Sequence, residues 1–125
     1  MLLRDRRTRR IGDVLTLAQH HRDLWGDMHR RPELSRVTSS DPDLLACPIT
    51  TAEEEYLHLV IMHFCTGFLL AREGSLITLS TLAVDAGSFL SLPLPRVVWE
   101  QTRHLRDPDF VCFVERALEK EGAKK

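Results

Sequence analysis

Residues 93 to 115, Pro93-Leu94-Pro95-Arg96-Val97-Val98-Trp99-Glu100-Gln101-Thr102-Arg103-His104-Leu105-Arg106-Asp107-Pro108-Asp109-Phe110-Val111-Cys112-Phe113-Val114-Glu115, decide the fold. Pro95 suits the first helical position, where a missing N–H costs nothing, and Asp107-Pro108 reads as an N-cap followed by proline at the first helical position. The stretch predicts two consecutive helices, over residues 95–105 and 108–121. Phe110, Phe113, Val114, Ala117 and Leu118 form the expected buried face of the second.

Upstream, Leu76, Leu79, Leu82, Ala83, Ala86, Phe89 and Leu90 keep helical spacing and predict a helix over 76–91. The β-branched Ile77, Thr78 and Thr81 leave a strand reading open there. A capping signal at Thr50 or Thr51, followed by Glu53, Glu54 and Glu55, starts a helix over 52–73 that Gly74 closes. Its body, from Leu57 to Leu70, is apolar nearly all round, as expected of a central helix with several neighbours. Ile11, Val14, Leu15, Ala18, Trp25 and Met28 predict a first amphipathic helix over 11–30, ended by Pro32.

The reading is all-α: a single compact bundle of about five helices. Residues 1–10 are expected to be a basic flexible head, residues 11–121 the helical domain, and 122–125 a tail. The connection 32–51 carries Pro32, Pro42 and Pro48, with Leu34, Val37, Leu44 and Leu45 as isolated anchors and room for one helical turn around Glu33 to Val37.

A chain of 125 residues, 43% hydrophobic and 28% charged, can bury a core without disulfides or a structural metal. Cys47, Cys65 and Cys112 are an odd, widely spaced set. Cys65 and Cys112 sit in apolar runs, which fits a reducing compartment and small buried thiols.

The net charge of −1 conceals a polarity. Residues 1–31 hold eight Arg against four Asp, and Arg4, Arg6, Arg7, Arg9 and Arg10 crowd the first ten positions. Such a head is a candidate contact for an anionic membrane or for nucleic-acid phosphates, or it is simply a solvated end. Nucleic acid is the disfavoured partner, because the aromatics keep core spacing and do not interleave with the basic residues. Met1-Leu2-Leu3 is too short for the apolar core of a signal peptide, so no export is expected. The uncharged run Tyr56 to Ala71 falls short of a membrane span. The expected location is cytoplasmic, with membrane association through the arginines as an added expectation.

Arg30-Arg31-Pro32-Glu33-Leu34, Glu55-Tyr56, Arg72-Glu73-Gly74, Leu94-Pro95-Arg96 with Trp99-Glu100, and Asp109-Phe110 with Phe113-Val114-Glu115 follow one another along the chain. This succession resembles a loose group of uncharacterised bacterial all-helical domains, often found after a single N-terminal membrane anchor. The resemblance covers roughly residues 17–118 and brings no activity with it. It implies that the arginine head corresponds to the positively charged cytoplasmic flank of such an anchor.

For a binding site the sequence offers Arg96, Trp99, Glu100 and Arg103 on one helix, spaced three and four apart. They read either as a recognition patch beside an indole or as a tryptophan anchor with a salt-bridged rim. Catalytic sets are incomplete. The serines lack a nucleophile elbow, and no glycine loop can cradle a phosphate. Glu55 and His58 make one Glu-x-x-His unit, and Glu54 with His58 shares a helix face, but a di-iron bundle needs two such units. No metal and no cofactor is expected. His21 borders the apolar face of the first helix, a place where a satisfied histidine is commoner than a ligand.

The expected function is therefore a non-enzymatic binding or scaffolding domain with a protein partner, compatible with self-association. The alternative is a small all-helical ribonuclease of the toxin type, using Arg22 and His29 with six residues between them.

Overall fold

The computed structural model describes the backbone of residues 2–74 and 77–124, with the side chains of Arg9, 11–74 and 77–124. The described residues form an all-α fold. Its α-helices are α1 (Leu2–Arg30), α2 (Thr51–Arg72), α3 (Leu79–Leu90), α4 (Pro93–Thr102) and α5 (Pro108–Ala123). Two 3₁₀ segments, Pro32–Thr38 and Arg103–Leu105, fill the turns after α1 and α4.

The N-termini follow side-chain chemistry. At α2 the Thr50 hydroxyl accepts from the Glu53 N–H, and the Glu53 carboxylate accepts from the Thr50 N–H at 2.9 Å. Thr78 caps α3 through the Thr81 N–H, so the helix begins at Leu79, and the strand alternative is displaced by a helix whose cap is one of the β-branched residues themselves. Leu76, the expected start, lies outside the described residues. Asp107 caps α5 at the Phe110 N–H, 3.0 Å away. α4 starts at Pro93, two residues before the expected Pro95.

One boundary departs further from expectation. The first helix begins at Leu2, because residues 2–11 contain neither proline nor glycine and consist largely of Arg and Leu, both good helix formers. The helical turn expected around Glu33 to Val37 is a 3₁₀ segment that inserts the anchors Leu34 and Val37 completely into the core.

The core is centred on the inner face of α2. Tyr56, Leu57, Val60, Ile61, Phe64 and Phe68 meet Phe89 and Leu90 of α3, Leu94, Val98 and Trp99 of α4, and Phe110, Val114 and Leu118 of α5. Trp99 stands edge-on to Phe110, with ring centroids 5.7 Å apart. α3 and α5 approach most closely where Gly87 faces the Ala117 backbone: a Cβ on Gly87 would fall 2.8 Å from the Ala117 carbonyl oxygen.

α1 runs antiparallel to α2. Tyr56 donates its hydroxyl to the Leu24 carbonyl at 2.6 Å, His21 lies beside His63, and Leu17 lies beside Gly67. The expectation of neighbours all round α2 fails on one side, where Leu59, Met62 and Leu69 remain exposed.

Candidate functional site

Among the described residues a cleft of about 670 Å³ opens between the C-terminal part of α2, the start of α3 and the outer face of α5. Its floor is apolar: Phe68 and Phe113 meet at 4.9 Å between centroids with their rings tilted by 42°, and Leu79 and Ala83 lie opposite. Its rim is cationic. Arg72 lies over the Phe68 ring, 5.2 Å from its centroid, and pairs with Asp109 at 3.0 Å. Arg116 and Lys120, one turn apart on α5, complete the rim.

The groove continues into a second hollow of about 300 Å³ that shares Ser80, Ala83, Ala117 and Lys120 and ends at Glu121 and Lys124. Asp109, the adjacent Cys112 and Phe113, Arg116 and Lys120 fall on successive turns, so one face of α5 lines it for about 16 Å at 1.5 Å per residue. That length matches about three turns of a docked helix.

Phe113, expected on the buried face of α5, is partly buried: it packs against the core through Phe68 and shows its remaining edge to the cleft. Cys112 was expected to be a small buried thiol. It is exposed on the cleft wall, two positions from the inward-facing Phe110 and therefore on a different side of α5. Cys47 is also exposed, and Cys65 is half-buried with its thiol pushed above the usual range by desolvation.

The Arg96, Trp99, Glu100 and Arg103 face divides in two. Trp99 is fully buried and donates its indole N–H to Glu115 Oε1 at 3.1 Å, so its ring offers no surface to a ligand. Arg103 reaches the same oxygen at 2.7 Å, closing the rim over the tryptophan. Arg96 and Glu100 form a separate exposed pair at 2.8 Å, which holds the Glu100 carboxyl below its ordinary range. Glu115, on another helix and sixteen positions beyond Trp99, is the residue that sequence reasoning missed.

The histidines form two small networks. His21 Nδ1 accepts from the Trp25 indole N–H at 3.1 Å and lies 3.2 Å from His63 Nε2. Indole can only donate, so His63 Nε2 carries the proton in this contact, and its Nδ1 is left buried without a hydrogen-bond partner. Desolvation, reinforced by His21 and His20, lowers the His63 pKa to about 4. His58 stands 3.8 Å from Glu54 and accepts from Arg106 Nη2 at 3.2 Å. Among the described residues no three His, Cys, Asp or Glu side chains gather into a metal-binding group.

Arg22 and His29 are both exposed on α1, about 10 Å apart along the axis by helix geometry. Neither borders the hollow between α1 and α2. Of the arginine head, Arg9 is exposed, and the side chains of Arg4, Arg6, Arg7 and Arg10 lie outside the described residues. No described helix is long and apolar enough to cross a membrane.

No family model matches the chain, and no curated protein or solved structure matches it. The resemblance to bacterial helical domains rests on its motif residues alone.

Proposed function

We propose that the chain is a non-enzymatic binding domain that holds an acidic amphipathic helix of a protein partner in the cleft between α2, α3 and α5. One observation carries this reading: the aromatic floor of Phe68 and Phe113 is ringed by Arg72, Arg116 and Lys120 against the single carboxylate of Asp109. An apolar floor rewards burial of a partner's leucines, and three cations against one anion favour glutamates along its edges. The small Ala83 keeps the α3 wall low enough for a helix backbone to approach.

Cys112 supplies the test. With Cys47 changed to serine, an environment-sensitive dye on Cys112 is titrated with a model helix of Leu at i, i+3 and i+4 and Glu between, and with the same helix carrying Lys for Glu. The acidic helix should shift the emission saturably, and Arg116→Glu with Lys120→Glu should abolish the shift. Equal response to both helices, or none to either, contradicts the reading.

A further inference from the structure

α1 is the most thinly attached of the α-helices. Among its described side chains only Leu17 is buried, with Leu24, Trp25 and Met28 partly covered, whereas the rest of the core comes from the first 3₁₀ segment and from α2 to α5. The chain leaves the helix at Arg31, whose backbone is extended, and Leu34 and Val37 then anchor the next segment fully in the core. Arg31 is therefore placed as a hinge about which α1 can move while everything after it stays packed.

Where α1 lies against α2, two donors share one lone pair. His21 Nδ1 receives the Trp25 indole N–H at 3.1 Å and the His63 Nε2 proton at 3.2 Å. A neutral imidazole carries one N–H, so His21 keeps its own proton on Nε2. A second proton on His21 must land on Nδ1, at which two donors already point. A second proton on His63 must land on Nδ1, which is buried without a hydrogen-bond partner. The docked helix opposes both.

No carboxylate answers either charge. Asp23 and Asp27 of α1, with His20, border the hollow beside His63, and Asp85 of α3 borders the one beside His21. Among the described residues none of the three aspartates is within ion-pair distance of either ring; Asp27 pairs with Arg30, and the histidine that meets a carboxylate is His58. Residues 59–67 of α2 contain neither Asp nor Glu, the Tyr56 hydroxyl is occupied by the Leu24 carbonyl, and Arg31 and Glu33 pair with each other.

We infer that the His21–His63 contact is an acid-released latch: protonation sets N–H against N–H between the two rings, and α1 swings away from α2 about Arg31 while α2 to α5 remain folded. Burial and the neighbouring His21 and His20 lower the His63 pKa to about 4, so proton uptake favours release as pH falls from 6.5 toward that value. Release bares Leu24, Trp25 and Met28. Among the described residues α1 lines no part of the α2–α3–α5 cleft, so the latch stands or falls independently of what the cleft binds.

The two tryptophans report the two outcomes separately, because Trp25 donates its indole N–H to His21 and Trp99 donates its own to Glu115. The test is amide and indole hydrogen exchange of the full chain by two-dimensional NMR between pH 7 and pH 4.5, expressed as protection factors. Protection over residues 17–28 and at the Trp25 indole should fall at least tenfold relative to α2, α5 and the Trp99 indole. His63→Leu and His63→Gln, neutral at every pH, should each hold the α1 protection factors within about twofold across the same range. Loss of both indole signals together, α1 protection unaltered at pH 4.5, or neutral variants that lose it as the wild type does would overturn the inference. The wild-type comparison of α1 with the core decides alone if a variant docks α1 poorly at pH 7.

Discussion

Arg36 grips both carboxylate oxygens of Glu53, at 2.8 Å and 3.1 Å, while the same carboxylate closes the capping box that starts α2. Glu53 is only 1% exposed, and Arg36 also donates to the carbonyls of Cys47 and Pro48. One ion pair therefore ties the 3₁₀ segment, the long connection and the central helix together. Glu53→Ala removes a cap and the anion that neutralises Arg36, and should cost about 3 kcal/mol in urea unfolding. Glu53→Gln keeps the shape and an acceptor for the Thr50 N–H, and should recover part of that loss.

Acid should act on the same protein through two groups. The Arg36 hydrogen bond holds the Glu53 carboxyl below its ordinary value of 4.5, so its stabilisation is present above that value and disappears as pH falls through the lower folded pKa. His63 acts earlier. Its pKa falls from 6.5 to about 4 on folding, so the unfolded chain takes up a proton in that window while the folded chain does not. Stability should decline by about 2–3 kcal/mol between pH 6.5 and pH 4, and His63→Gln should flatten that part of the profile in chemical denaturation.

Gly87 permits the closest approach of α3 to α5. Gly87→Ala gains helix propensity but sets a methyl 2.8 Å from a backbone oxygen that cannot swing away as a side chain would. The expected outcome is a net loss of thermal stability despite the better helix former, and a larger loss for Gly87→Val. An increase in Tm for Gly87→Ala would show that the helices can separate freely.

Trp99 and Arg96 should behave oppositely. Trp99→Ala empties a fully buried site and should cost about 3–5 kcal/mol. Arg96→Ala removes one half of an exposed helix pair and should change unfolding free energy by less than about 0.5 kcal/mol.

The helices were legible because their signals are local. Thr50, Asp107 and the prolines mark ends through the backbone groups they satisfy or lack, and the spacing of Leu57, Val60, Ile61 and Phe64 reports one buried face. The clefts were not legible, since they depend on which helix each face meets. Phe113 has the same periodicity as Phe110, yet Phe110 is fully buried while Phe113 is partly buried at the cleft edge. Trp99 carried an ambiguous signal for the same reason: its partner Glu115 is sixteen positions away on α5. A weak pointer to the cleft did exist in the spacing of Arg116 and Lys120 beyond Cys112, although exposed helix faces carry such cations commonly.

The most direct measurement is a two-dimensional amide NMR titration of the full chain with the acidic amphipathic helix. The account predicts shifts concentrated at Phe68, Arg72, Ala83, Phe113, Arg116 and Lys120, saturating together and absent in the Arg116→Glu, Lys120→Glu variant. Shifts confined to the α1–α2 side, or an unchanged spectrum at millimolar peptide, would contradict it.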